Sequence, residues 1–408
     1  MQCSGARSPS IALLVNYRFE WVKQVMVMTA AVAWAIFCRV VDNFGDIGVC
    51  WRLARQLHQE FGLAVTLWVD DLASFAQIRP EIDPTQARQQ LEGVLVLRWD
   101  TDFPPLVHAA DVVIEAFACE IPAPYLAQMQ ARATAPVWIN LEYLSAEDWV
   151  EGCHGLPSPV QGLSKYFFFP GFTKRTGGVF SEQRQRALQL AWRDADSAQF
   201  LVSLSPACPQ HLAPALNISL FAYEPLALKQ WLSVLENSSQ SIRLFVPEGR
   251  VLLAMKDLDL TAGQYTGGVS RRGALEIIPL PMLAQDDYDR LLLSCDINFV
   301  RGEDSFLRAQ WAAKPFVWHI YPQEDDAHRD KLDAFLVRYL GHQPTPALMA
   351  LAAMMQAWNH GGDLSAAWQE LVAGRHLLQE HAHAWRKNLL ELGDVATNLV
   401  RFVNSKVK

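Results

Sequence analysis

The 408-residue sequence predicts an α/β protein built as two lobes, each a parallel sheet covered by helices, with a helical tail. Three observations carry this. Short β-branched, apolar runs alternate with helical patterns through the first half. The alternation resumes after a stretch punctuated by glycine and proline. Beyond Thr345 only helical spacing remains.

The first strand is expected over Ala35–Val41. The turn cluster Asp42–Gly48 follows it. Cys50, Leu53, Ala54, Leu57 and Phe61 then recur at helical spacing, and Gly62 is placed to end that helix. Ala64–Val69 completes a βαβ unit. Further strands are expected at Val94–Leu97, Asp111–Phe117 and Val137–Leu141. The pattern breaks over Tyr166–Phe180, where Pro170, Gly171, Gly177 and Gly178 cluster. The second lobe has expected strands at Ile218–Tyr223, Ile242–Val246, Leu275–Leu280, Ile297–Val300 and Phe316–Ile320. Its clearest helices are Glu303–Lys314 and Asp326–Leu340. The tail reads as helical through Leu348–Trp358 and His376–Val403, and the last helix could run back across the first lobe. The divisions are therefore an extension at 1–33, lobes at 34–180 and 181–375, and a C-terminal helix at 376–408. Parallel sheets of this kind are covered on both faces. Two Rossmann-like lobes facing across a cleft suggest the glycosyltransferase-B (GT-B) architecture. Periplasmic binding proteins and some sugar-nucleotide epimerases share that outline, and fold alone does not choose among them.

Composition narrows the classes. Apolar residues make up 51% and charged residues 19%, so large cores can form and the chain is not of a disordered type. The formal net charge is −8, and no basic stripe is present, which argues against a nucleic-acid partner. Lys174-Arg175 and Arg271-Arg272 read as solvated loops. Seven cysteines with wide spacings and no CxxC argue against a disulfide framework and a zinc site. Val25–Cys38 is apolar, and Ala31-Val32-Ala33 resembles a signal cleavage site. However, the first strand needs part of this run, and it is too short and interrupted to span a bilayer. Met28 is the natural start on this reading. No membrane association and a cytoplasmic location are expected.

Three clusters could carry chemistry. Asp42-Asn43-Phe44-Gly45-Asp46-Ile47-Gly48 joins the carboxyl end of a strand to a helix, where open α/β sheets bind ligands. It lacks the glycine spacing of a dinucleotide fingerprint. Asp42 and Asp46 suit binding a cation or a proton-bearing nucleophile; the same residues also serve as ordinary caps and turns. Arg301-Gly302-Glu303-Asp304-Ser305 opens a helix whose free N–H groups attract a diphosphate. There Arg301 could pair with phosphate, Asp304 and Ser305 could cap, and Glu303 would suit a sugar hydroxyl. A plain cap with a surface ion pair is the alternative. Phe221 and Tyr223 share a strand face and could stack on a nucleobase. Core packing competes for Phe221, and Tyr223, with its hydroxyl, is the better candidate. Gln285, before Asp286-Asp287, fits a helix cap. His319, Tyr321 and Gln323 alternate toward Glu324-Asp325-Asp326 and read as a polar strand exit without metal-ligand spacing.

Several long blocks resemble one family: IFCRVVDNFGDIGVCWRLARQL, LWVDDL, FFFPGF, SLFAYE, FVRGEDSFLRAQWAAKPFVWHIYPQEDDAHRDKL and the helical tail. They span nearly everything from Trp34 onward and resemble the EarP family of protein-arginine rhamnosyltransferases, which modify translation elongation factor P. The resemblance implies a GT-B fold and an inverting, metal-independent transfer of L-rhamnose from dTDP-β-L-rhamnose to one arginine at a loop tip, with no cofactor. It implies Asp46 as general base with Asp42 its essential neighbour. Asn43, Phe44 and Gly45 would line the donor sugar, Tyr223 and Phe221 the thymine, and Gln285 another part of the donor. Arg301, Gly302, Glu303, Asp304 and Ser305 would form the diphosphate and sugar loop, with Glu303 essential. The family usually has Asp where Ala35 follows Trp34, and residues 1–27 have no counterpart. Another GT-B glycosyltransferase, a sugar-nucleotide epimerase or a non-catalytic docking module are the competing readings.

Overall fold

The computed structural model describes residues 32–41, 44–100, 103, 108–205, 214–257, 269–322 and 326–407. Asp42, Asn43 and the expected extension up to residue 31 lie outside them.

In the first lobe, β1 (Ala33–Cys38), β2 (Ala64–Val69), β3 (Arg88–Leu91), β4 (Val94–Arg98), β5 (Val112–Ala116), β6 (Val137–Leu141), β7 (Pro157–Val160) and β8 (Leu163–Phe168) form one sheet. Its order is β3-β4-β2-β1-β5-β6-β8-β7. The β3–β4 and β7–β8 pairs at its edges are antiparallel, and the pairs between them are parallel. Alternation along β1 sends Trp34, Ile36 and Cys38 to one face and Ala35 and Phe37 to the other, and each set joins a separate core. β1 ends at Cys38 rather than Val41. The next residues leave the sheet, and the Val40 N–H donates to Asp70 Oδ1 at 2.9 Å.

Helix α1 (Gly45–Phe61) buries Ile47, Cys50, Trp51, Leu53, Ala54 and Leu57 on the first of those faces. Each large side chain contributes roughly 1.5–3 kcal/mol by leaving water. Gly62 stops the helix with φ 67°, returning its N–H to the His58 and Leu57 carbonyls.

The second lobe has β9 (Leu216–Leu220), β10 (Ile242–Pro247), β11 (Ser270–Arg272), β12 (Leu275–Leu280), β13 (Ile297–Arg301) and β14 (Phe316–His319). The order is β11-β12-β10-β9-β13-β14, with β11 antiparallel to β12. Arg271 and Arg272 thus belong to an edge strand and not to a loop. β9 stops at Leu220, so Phe221 and Tyr223 lie past the sheet. Helix α2 (Gln285–Ser294) precedes β13, and helix α3 (Asp304–Ala312) follows it.

The expected break over Tyr166–Phe180 begins late, because β8 runs to Phe168. The expected tail helix is two helices, α4 (Arg375–Leu392) and α5 (Val395–Lys406). Gly393, with φ 81°, parts them, and Asp394 caps α5 by accepting from the Thr397 N–H at 2.9 Å. Val395, Ala396, Leu399, Val400 and Val403 pack into the α1 side of the first lobe. Among the described residues no helix is long and apolar enough to cross a membrane.

The sheet orders position the site. β1 lies between β2 and β5, and β9 between β10 and β13, so each sheet reverses its winding direction at that strand. Ligand crevices open beyond the carboxyl ends of strands at such points. The lobes meet there. Leu307 and Trp311 of α3 belong to the first lobe's core, and Trp311 Nε1 donates to the Phe180 carbonyl at 2.7 Å.

Candidate active site

Asp46 is the second residue of α1, where a carboxylate faces the positive end of the helix dipole. The N-cap is Phe44, with no side-chain cap. Asp46 instead reaches back: Oδ2 accepts from the Val41 N–H at 2.8 Å, and Oδ1 accepts from the Tyr143 hydroxyl at 3.0 Å. Asp46 is 2% exposed.

Across the cleft β13 delivers Arg301, then Gly302 turns the chain with φ 58°, a conformation that favours glycine. The Trp318 indole donates to the Gly302 carbonyl at 2.7 Å. Glu303 is the N-cap of α3. Ser305 Oγ accepts from the Arg301 N–H at 2.9 Å and donates back to the Arg301 carbonyl. Neither Ser305 nor Asp304 caps α3, contrary to expectation, and Gln285 does not cap α2, whose N-cap is Ala284.

Glu303 is buried. Its carboxyl is raised to about 8: desolvation is the main cause, the nearby Asp46 and Asp304 add to it, and a hydrogen bond from the Leu144 N–H and the charge of Lys331 partly oppose it. Among the described residues its Oε1 has no hydrogen-bond partner. Glu303 therefore holds its proton near neutral pH and can donate to an incoming oxygen.

Two cavities adjoin, sharing Gly45 and Gly302. One, of about 920 Å³ including its open mouth, is lined by Asp46, Glu303, Phe117, Tyr143, Trp318 and Lys331 among others. The second, of about 600 Å³, is lined by Phe44, Phe221, Gln285, Tyr288, Arg301, Asp304 and Ser305 among others. Both draw residues from both lobes. The Arg301 guanidinium lies over three rings, at 4.4 Å from Phe221, 4.8 Å from Tyr223 and 5.9 Å from Phe44. Aromatic faces hold such a cation without neutralising it.

Asp304 is engaged by side chains of both lobes. Its Oδ1 receives Arg52 Nε at 2.9 Å and Arg308 Nε at 3.4 Å, and its Oδ2 accepts from Gln285 Nε2 at 3.0 Å. Burial alone would raise its carboxyl; Arg52 and Arg308 overcome that and hold it below the usual range. Gln285 Nε2 also donates to the Gly48 carbonyl at 3.1 Å, so it bridges the lobes.

The structure thus brings Phe44, Gly45, Asp46, Phe221, Gln285 and Arg301 through Ser305 to one cleft. Tyr223 lines neither cavity. It is 1% exposed, packed beneath Arg301 and edge-on to His319 and Tyr321. Phe221 is the ring that reaches a cavity wall, because both residues follow the end of β9 and alternate faces no longer govern them. Asp42 and Asn43 are not among the described residues. Phe117, Tyr143, Tyr288, Trp318 and Lys331 line the cavities without having been singled out in sequence, and Tyr321, read there as part of a polar strand exit, lines one as well. Phe117 and Tyr143 could have been found, since each follows a strand end closely; Lys331 carries no local signal.

Chemically, one cavity offers Asp46, fit to orient a planar cation and accept a proton, and Glu303, fit to donate one. Its neighbour offers a caged guanidinium and a helix start, fit to hold a diphosphate.

Comparison with known proteins agrees with this chemistry. A family model described as "Elongation-Factor P (EF-P) rhamnosyltransferase EarP" matches residues 34–404. The chain is 49% identical over 378 residues to the protein-arginine rhamnosyltransferase of Pseudomonas putida, covering 92% of this chain and 99% of that one. It is 36% identical over 365 residues to the protein of the same description from Neisseria meningitidis, covering 87% and 91%. A solved structure described as "Structural basis for EarP-mediated arginine glycosylation of translation elongation factor EF-P" is 36% identical, with TM-score 0.64 over 92% of this chain and 99% of that chain. The glycosyltransferase of kitacinnamycin, at 12% identity and TM-score 0.51 over 92% and 99%, shares the fold alone. The GT-B architecture is therefore that of this chain, and the chain belongs to the EarP family of EF-P rhamnosyltransferases.

Proposed function

We propose that this chain transfers L-rhamnose from dTDP-β-L-rhamnose to one arginine side chain of translation elongation factor P, with inversion at the sugar. The observation that carries the reading is the placement of Asp46 and Glu303 in one cavity, directly beside the cavity that holds Arg301. Family membership names the acceptor class; the donor and the residue roles are this reading's own.

An arginine is a poor nucleophile, because its cation is delocalised and its pKa exceeds roughly 12. Asp46, held by Val41 and Tyr143, orients the guanidinium and accepts its proton as the new C–N bond forms. A carboxylate need not deprotonate the guanidinium in the ground state on this path. The bond from the sugar's anomeric carbon to the diphosphate oxygen breaks, and its electron pair leaves with dTDP. Arg301 and the N–H groups opening α3 face that growing charge. Glu303, protonated near neutral pH, donates to a sugar or phosphate oxygen from the other wall. Phe221 and Phe44 flank the nucleotide side of the same cavity as Arg301. The donor is a substrate, and no cofactor enters these steps.

Intact-mass measurement of purified elongation factor P, incubated with this chain and dTDP-rhamnose, tests the proposal. A gain of one deoxyhexose on an arginine is expected. Unchanged acceptor mass with dTDP-rhamnose consumed or epimerised would instead indicate a sugar-nucleotide enzyme.

A further inference from the structure

β5 and β6 run side by side, with Ala116 level with Leu141. Their carboxyl ends deliver Phe117 and Tyr143 to the wall of the Asp46 cavity. Directly after β5 the chain takes an unusual path. Phe117, Ala118 and Glu120 have φ of 56°, 52° and 59°, left-handed values that non-glycine residues adopt at a cost. The turn is pinned while it does so. The Phe117 N–H donates to the Leu141 carbonyl at 2.7 Å, the Ala118 N–H to Asn140 Oδ1 at 3.1 Å, and the Cys119 N–H to the Ala116 carbonyl at 3.1 Å.

The effect of this turn is to lay the Phe117 ring flat on Tyr143, with centroids 4.2 Å apart and planes 10° apart. So supported, the Tyr143 hydroxyl donates to Asp46 Oδ1 at 3.0 Å. Burial first, and then the neighbouring Asp46 and Glu303, push the phenol well above its ordinary range, so it stays a donor at any working pH. The Val41 N–H holds the other oxygen of the same carboxylate.

We infer that Tyr143 is a positioning residue for transfer: its hydroxyl sets the orientation of the Asp46 carboxylate in the cavity, and the strained turn that stacks Phe117 on its ring holds Tyr143 in place. The inference rests on the function proposed above and adds to it a residue outside the acidic turn and the Arg301 loop. A carboxylate that must both orient a planar cation and accept its proton tolerates little rotation. The Tyr143 hydroxyl holds the oxygen opposite the one that Val41 holds, and so restrains rotation of the carboxylate about its own side-chain bonds.

Two substitutions separate positioning from packing. Tyr143→Leu removes ring and hydroxyl together, and Tyr143→Phe removes the hydroxyl alone. Both are measured for melting temperature, donor Kd, acceptor KM and kcat with elongation factor P. The inference predicts that Tyr143→Leu melts earlier and is slow. Tyr143→Phe regains the wild-type melting temperature and stacking, yet its kcat stays about tenfold or more below wild type. Donor Kd and acceptor KM change less than about twofold. Wild-type kcat in Tyr143→Phe overturns the inference, as does a loss carried by KM alone. If Tyr143→Leu does not fold, Tyr143→Phe decides by itself. A wild-type chain that leaves elongation factor P unmodified would instead overturn the proposed function.

Discussion

Glu303 has a carboxyl raised by burial, then by Asp46 and Asp304, to about 8. The folded chain therefore binds a proton there that the unfolded chain releases above its ordinary value. Between that value and about pH 8, stability falls as pH rises, because the folded state holds more protons. Glu303→Gln removes this dependence. Its melting temperature relative to wild type should rise between about pH 5 and about pH 9, while transfer is lost; a difference that is flat across that range would count against a protonated Glu303. The sequence made Asp46, Arg301 and Glu303 legible because each sits at the junction of a strand end and a helix start. It left Lys331 unseen because its contact with the site comes from a distant part of the chain, and Tyr143 went unremarked although it follows the end of β6 closely. Tyr223, singled out for its hydroxyl, packs its ring 4.8 Å from the Arg301 guanidinium and lines neither cavity.

Elements explain where such readings fail. Ile218–Tyr223 has strand composition throughout, yet the sheet ends at Leu220. Propensity does not count pairing partners. The Phe221 N–H still donates to the Phe299 carbonyl at 3.0 Å, and beyond it the chain turns into the cleft. Pro170 and Gly171 drew attention to a break, although β8 had already formed before them. By contrast α1 was legible from its apolar period and its closing Gly62. Its amino end also carries a constraint that spacing did not reveal. A Cβ on Gly48 would lie 3.2 Å from Gln285 Nε2 and 3.4 Å from Asp304 Oδ2. Gly48→Ala should therefore displace the Gln285 bridge, raise the donor KM several-fold and lower stability by about 1 kcal/mol. Steady-state kinetics with varied dTDP-rhamnose, together with a melting curve, checks both. The unbroken tail helix failed at Gly393, whose left-handed φ and the Asp394 cap start a new helix.

The two-lobed layout was readable in outline from alternation, but how the lobes are fixed to one another was not. Arg52 and Arg55 of α1 are almost fully buried against acids of the other lobe and of the segment between them. Arg52 reaches Asp289 at 3.0 Å, Asp304 at 2.9 Å and Glu182 at 3.3 Å. Arg55 reaches Glu182 at 2.6 Å, and Arg308 reaches it at 2.8 Å. Glu182 is the second residue of the expected second lobe and serves three guanidinium groups. Burial alone would raise its carboxyl, but Arg308, Arg52 and Arg55 together hold it far below the carboxylate range. Removing one member of such a buried set leaves the others uncompensated, so Glu182→Gln should destabilise the chain by about 3–5 kcal/mol in urea unfolding. Being buried, the loss should change little with salt. Through Asp304 the same network supports the Arg301 loop, so lobe position and the cavity that Arg301 lines are one mechanical unit.

The most direct test of the account is Asp46→Asn. The exchange keeps size and shape but removes the charge that is to take the arginine's proton. The variant should bind dTDP-rhamnose with wild-type affinity by calorimetry, since Arg301 and the α3 start are untouched. Its rate of rhamnosyl transfer to elongation factor P should fall by about a hundredfold or more. Wild-type turnover in Asp46→Asn would contradict the proposed catalysis.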